Sequence, residues 1–209
     1  MAGVQHSIRT SNEVMMMSAA AKPTLVETLW PASQDSLVRS ALIAVAGSGL
    51  LWLSAKVQVP FWPVPMTLQS MVALMLGATL GWRLGLATVA LYLLEGAAGL
   101  PVFAGTPEKG LGLLYMAGPT GGYLVGFVAG AAAVGFLAAR GWDRSIPWMF
   151  AAMSIGHAVI FLAGWAWLAT IAGPEKAWIL GVAPFYAATL LKTALAALAV
   201  PATWRVASK

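Results

Sequence analysis

Cysteine is absent from the 209 residues, which excludes disulfide staples, thiolate zinc sites and a cysteine nucleophile. Histidine is nearly absent: His6 and His157 are the two present, and no second histidine or carboxylate stands at metal-ligand spacing from His157. Charge is the third scarcity. Asp, Glu, Lys and Arg make up 9% of the chain, against about a quarter of a soluble domain, so these residues cannot cover a globular surface in water. A nucleotide-binding loop is missing too. The glycine-rich run Gly118-Pro119-Thr120-Gly121-Gly122 lacks the spacing and the lysine such a loop needs.

What fills the chain is apolar: 60% hydrophobic residues and a mean hydropathy of +0.81. That balance reads as an integral membrane protein, its length suiting one compact bundle. Segments near 37–56, 66–82, 83–100, 117–139, 147–172 and 178–204 each approach the ~20 residues that cross ~30 Å of hydrocarbon as helix. The expectation is an all-α bundle of six transmembrane helices over 37–209, preceded by a short cytoplasmic tail, 1–36, with no evident signal peptide. The second and third segments are joined by little more than Trp82-Arg83, so they form a tight antiparallel hairpin. Residues 101–116 read as a long loop, and a last helix starts comfortably at Pro184, since proline suits a first turn.

The net charge of +5 serves orientation here rather than nucleic acid. With six spans, Arg9, Lys22, Arg39, Arg83, Arg140, Arg144, Arg205 and Lys209 fall on one side, and Lys56, Lys109 and Lys176 on the other. Eight against three places both termini in the cytoplasm. The three longer loops then face outward, like the mouth of a receptor.

The first of those loops is Gln58-Val59-Pro60-Phe61-Trp62-Pro63-Val64-Pro65-Met66-Thr67-Leu68-Gln69. Its prolines remove backbone donors and hold their neighbours extended, so it is a rigid connector that neither a helix nor a central strand can cross. Phe61 and Trp62 mark it either as an interfacial anchor or as a cap over a ligand cavity; the cap is the reading taken here.

Lys192 is the basic residue left over. It lies within the last apolar segment, about 12 Å below a helix start at Pro184 at 1.5 Å per residue, and an intramembrane charge is by default a candidate site. Glu95 sits at similar depth. The two either neutralise each other as a buried pair, or Lys192 serves a ligand carboxylate or carbonyl while Glu95 tunes it or faces the loop; the second is favoured. Tyr92, Tyr123, Phe185 and Tyr186 supply aromatic surface and hydroxyls at the same outer level. The amides around Gly121 open a helix and can meet carbonyl or anionic oxygens, while Gly122, Gly126 and Gly130 form a small-residue face for close helix packing. His157 reads first as an interhelical hydrogen-bonding residue. Ser40, Ala44 and Ser48 repeat every four residues on the first span, a face suited to docking another helix, inside the bundle or on a separate subunit.

The connector, Gly99-Leu100-Pro101-Val102-Phe103-Ala104-Gly105, Gly118-Pro119-Thr120-Gly121-Gly122-Tyr123-Leu124, and Pro184-Phe185 with Lys192 together resemble BioY, the substrate-binding membrane subunit of biotin transporters of the energy-coupling factor type. The likeness runs in order from about Glu27 to Trp204. It implies a six-helix bundle in the cytoplasmic (inner) membrane that binds biotin near the external face. Partners would be a transmembrane coupling subunit and two cytoplasmic ATPases, with no cofactor or enzymatic activity of its own. It maps partner docking onto Ser40, Ala44 and Ser48, and biotin contacts onto Lys192, Thr189, Tyr92, Tyr123, Phe185, Gly121, Trp62 and Glu95. Thr189 stands where the family pattern has Asp, so a hydroxyl replaces a charge there. Two other classes fit less well. Ala46-Gly47-Ser48-Gly49 with His157 caricatures a rhomboid-type protease, but the order and the first glycine disagree. A stand-alone carrier calls for interrupted helices in both halves, and a broken entry is visible only at Pro184.

Overall fold

The computed structural model describes residues 23–30, 37–59 and 62–207. Helix α1 (Leu25–Leu29) is followed by α2 (Leu37–Lys56), then by strands β1 (Gln58–Val59) and β2 (Met66–Thr67), and by α3 (Gln69–Ala97). Next come α4 (Gly112–Met116), α5 (Gly121–Ala138), α6 (Ile146–Ala172), α7 (Pro174–Gly181) and α8 (Tyr186–Ala207). Short 3-10 turns lie at Trp142–Arg144 and Ala183–Phe185. Five stretches are long and apolar enough to cross a membrane: α2, α3, α5, α6, and α7 with α8 taken together.

The sequence counts six such segments, and the difference lies in α3. Gly81 has φ +80° and ψ 168°, a backbone region essentially closed to other residues. Gln69 Nε2 donates to Tyr92 Oη at 2.6 Å, whereas a straight helix would hold those residues about 35 Å apart. The chain therefore folds back at Gly81, one residue before the expected Trp82-Arg83 junction. The two arms touch where a Cβ on Gly85 would come within 2.8 Å of Gly77 Cα. A Cβ on Gly77 would strike the Ala131 carbonyl of α5 instead, so that glycine lets α5 approach from its other side.

Around the hairpin pack α5 and α6. A Cβ on Gly126 would meet Ile160 Cα at 2.9 Å, and one on Gly130 would meet Gly156 O at 3.1 Å. The expected small-residue face thus draws α5 against α6. Leu74, Val134, Met149 and Met153 are fully enclosed between these helices. At one end of the bundle Trp204 Nε1 donates to Asp143 Oδ2 at 2.6 Å, and the Arg144 guanidinium stacks on the Trp204 ring. These contacts tie the charged turn to the end of α8.

Part of the expected tail is structured. Thr24 and Glu27 form a reciprocal capping box on α1, satisfying amides that helix starts leave unpaired. Leu25 is buried, and Thr24 sits against Gly81 at the hairpin bend. The remainder of 1–36 before Pro23, Pro31 to Ser36, Pro60 and Phe61 lie outside the described residues. The last helix is divided rather than continuous from 178: α7 stops at Gly181, and α8 begins after Pro184, close to the expected start.

Candidate functional site

The proline connector is closed at its base by a two-residue antiparallel ladder, Gln58 opposite Thr67 and Val59 opposite Met66. The ladder uses positions that keep their amide hydrogens, and the prolines fall between them. Val64 and Pro65 turn inward and are buried. Beneath them lies a chamber, part of it open to the outside.

Its walls come from six parts of the fold. Val64, Pro65 and Thr67 form the lid, Gln69 and Ser70 begin α3, and Ala104 and Tyr115 come from the 98–120 connection. Thr120, Tyr123, Leu124 and Phe127 line it from the start of α5, His157, Ile160 and Phe161 from α6, and Phe185 and Lys192 from the last segment. The surface is mostly aromatic and aliphatic, with polar groups gathered under the lid. No carboxylate is among these lining residues.

Lys192 is buried, and its Nζ donates to Ser70 Oγ at 2.7 Å and to the Thr67 carbonyl at 3.2 Å. An ammonium has three N–H bonds, so one remains for a ligand. The same contacts pin the inner end of the lid to α8. Thr67 Oγ1 donates to Gln69 Oε1 at 3.2 Å and accepts from the Gln69 amide, extending the network to Tyr92 through Gln69 Nε2.

The wall behind the chamber is fixed by a second set of bonds. Tyr92 Oη donates to the Val102 carbonyl at 2.8 Å, and Tyr115 Oη to the Ala104 carbonyl at 2.8 Å. Phe103 lies between them, edge-on to Tyr92 and stacked on Tyr115. Burial pushes the Tyr115 phenol above its usual pKa, so it stays a neutral donor. Lys56 Nζ donates to the Pro101 and Thr106 carbonyls, clamping the outer loop to the end of α2.

Of the residues expected at the site, the structure brings Lys192, Tyr123 and Phe185 to the chamber wall. Tyr123 offers its ring, because its hydroxyl donates to the Gly181 carbonyl at 2.8 Å. Tyr92 stands one layer behind, holding Gln69 and the outer loop. Gly121 does not line the space: its amide donates to Gly118 O, and a Cβ there would strike Met116 O, so its smallness serves packing. Thr189 is also outside the lining, with its Oγ1 buried and without a hydrogen-bond partner among the described residues. Trp62 is 75% exposed and faces away, so Val64 and Pro65 cap the chamber in its place.

Glu95 is a correction to the favoured picture and to its alternative. Its Oε1 accepts from Ser48 Oγ at 3.0 Å, which places it between α3 and α2, while Lys192 turns to the lid. The small-residue face of α2 is turned into the bundle. Ala44 and Ser48 are buried, and a Cβ on the intervening Gly47 would strike Thr88 of α3. The small residues are used for internal packing, leaving Ser40 half-buried near the hairpin bend. Ser48 and His157 sit in separate networks, since His157 Nδ1 lies 3.0 Å from the Met153 carbonyl and 3.1 Å from Thr193 Oγ1.

Sequence reasoning did not single out Ser70, Tyr115, Thr120, Phe127 or Phe161 for the site. A signal existed for the first: Thr67, Gln69 and Ser70 are polar residues clustered where an apolar run begins. The others are ordinary members of apolar helices and loops, and only packing separates those facing the chamber from those facing lipid.

A profile of the BioY family matches residues 18–209. The chain is 37% identical over 162 residues to a "Biotin transporter BioY" of Thermotoga maritima, covering 77% of this chain and 93% of that protein. It is 38% identical over 144 residues to a "Probable biotin transporter BioY" of Pyrococcus horikoshii, covering 69% and 83%. It is 37% identical over 177 residues to a "Biotin transporter BioY" of Rhizobium etli, covering 79% and 91%. In fold it is similar to a crystal structure of the S-component for biotin from an ECF-type ABC transporter. The TM-score is 0.71 at 22% identity, over 83% of this chain and 94% of that one.

Proposed function

The chain belongs to the BioY family, and from that membership we propose that it captures biotin for uptake, as the substrate-specific subunit of an energy-coupling factor transporter. The observation that carries the reading is the chamber under the proline lid, with the Lys192 ammonium at its wall and an N–H to spare. Biotin joins an apolar thioether ring and chain to a ureido group and a carboxylate. A largely aromatic space with a few fixed polar groups suits such a molecule.

Specificity follows from the buried polar groups of the wall. A competitor lacking one of biotin's polar groups leaves a buried donor or acceptor unpaired, which costs more than the net gain of making the bond. Ring packing is supplied by Phe127, Phe161, Tyr123 and Phe185, and the charged donor by Lys192. Lys192 bonds both the lid and the start of α3, so it holds the lid against α8.

In this reading α3 crosses the membrane twice, down and back through Gly81, so six spans put both termini on the cytoplasmic side of the inner membrane. The excess of basic residues on that side supports the orientation. The chain carries no nucleotide-binding loop, so ATP-driven uptake depends on partners: a transmembrane coupling subunit and two ATPase subunits. The test is equilibrium binding of labelled biotin to the purified protein. Saturable binding is expected at submicromolar biotin and is competed by unlabelled biotin; the absence of saturable binding up to millimolar biotin would overturn the assignment.

A further inference from the structure

His157 is 3% exposed and belongs to the chamber wall. A carbonyl oxygen only accepts, so the ring nitrogen 3.0 Å from the Met153 carbonyl, Nδ1, carries the proton; the tautomer is assigned from this contact. In the neutral ring Nε2 is then a bare acceptor. It is buried and has no hydrogen-bond partner among the described residues. A buried polar atom left in that state is a standing cost that a bound molecule can remove.

Competing acceptors on the wall are few. Gln69 Oε1 already accepts from Thr67 Oγ1, and no carboxylate lines the space. The contact from His157 Nδ1 to Thr193 Oγ1, 3.1 Å, also sets the height of the ring, because Thr193 follows Lys192 in α8. The imidazole acceptor and the ammonium donor both line the chamber. Together they suit a group that presents an N–H next to a C=O.

We propose that His157 determines specificity by accepting a ureido N–H of the ligand at Nε2. This rests on the biotin reading above. Biotin's ring N–H bonds both belong to the ureido group, and neither its thioether nor its ionised carboxylate donates a hydrogen bond, so the assignment also orients the ligand. The bicyclic ring lies against α6, beside Ile160 and Phe161.

The test compares biotin with analogues methylated on one or the other ureido nitrogen, measured by equilibrium binding to wild type, His157→Leu and His157→Gln. Methylating one nitrogen weakens binding to wild type by about tenfold or more, the worth of one buried hydrogen bond. His157→Leu binds biotin about tenfold more weakly and no longer distinguishes that analogue. His157→Gln, which keeps an acceptor on a shorter arm, retains part of the discrimination. A His157→Leu protein with wild-type affinity for biotin, or with the full methylation penalty, overturns the inference. If that variant does not fold, the wild-type series and His157→Gln decide: both analogues binding wild type as tightly as biotin overturns it while leaving biotin capture intact. Failure of wild type to bind biotin at all removes the parent reading instead, and this one with it.

Discussion

Replacing Lys192 by methionine keeps an unbranched side chain of similar reach and removes the ammonium. Its Nζ makes two protein bonds, to Ser70 Oγ and the Thr67 carbonyl, and the third N–H is the one assigned to biotin. A hydrogen bond to a charged group is worth about 1.5–3 kcal/mol net, and each 1.4 kcal/mol is tenfold in affinity. Binding should therefore weaken about 10- to 150-fold. The lid is affected as well: without Nζ its inner end keeps the short β ladder and the Thr67–Gln69 contacts, so bound biotin should also leave faster. Ser70→Ala is the comparison, since it removes the bond from Lys192 to the start of α3 and leaves the ammonium and its bond to the lid; a loss below about tenfold is expected for one neutral partner. The assay is titration of labelled biotin onto purified protein, followed by a chase for the dissociation rate, with thermal unfolding as the check on folding. A Lys192→Met protein that melts like wild type and binds biotin within twofold of it refutes the assignment.

Tyr92→Phe removes one hydroxyl that serves both Gln69 and Val102, leaving two buried groups unpaired. Thermal unfolding should report a loss of about 1–3 kcal/mol, with a smaller change in biotin affinity than Lys192→Met because Tyr92 stands behind the wall. Gly81→Ala puts a Cβ on a positive-φ backbone at the hairpin bend, where the strain is about 1–3 kcal/mol, and towards Thr24 Cγ2 at 2.8 Å; unchanged melting would contradict the fold-back. Gly96→Ala places a methyl 2.0 Å from Phe103 Cζ. Overpacking of this kind costs about 1–3 kcal/mol, and displacing Phe103 should loosen the loop bearing Ala104, read as faster proteolysis between Leu100 and Leu111 and weaker biotin binding.

Much of the architecture is local and was legible. Scarce charge with long apolar runs requires helices in lipid, because backbone groups there must pair within their own segment. The prolines of 60–65 require a stiff connector, and a lysine deep in an apolar run requires a reason to be there. The hairpin was legible from the shortness of its junction, although the bend falls on Gly81, the residue able to adopt that backbone angle. The site itself was legible only in outline. Tyr92 and Tyr123 look alike in sequence, yet one lines the chamber and the other braces the loop behind it. Ser40, Ala44 and Ser48 announce a close helix contact without saying whose.

The order of residues alone says that this chain lives in a membrane, where its long helices lie, and that Lys192 is out of place among apolar neighbours. Which side of each helix faces the chamber was decided by tertiary structure alone. In a bundle surrounded by lipid, outward and inward faces are both apolar, so hydrophobic periodicity carries no direction. Direction comes instead from contacts between residues far apart in the chain, such as Lys192 with Thr67 and Glu95 with Ser48, which exist only once the helices have packed.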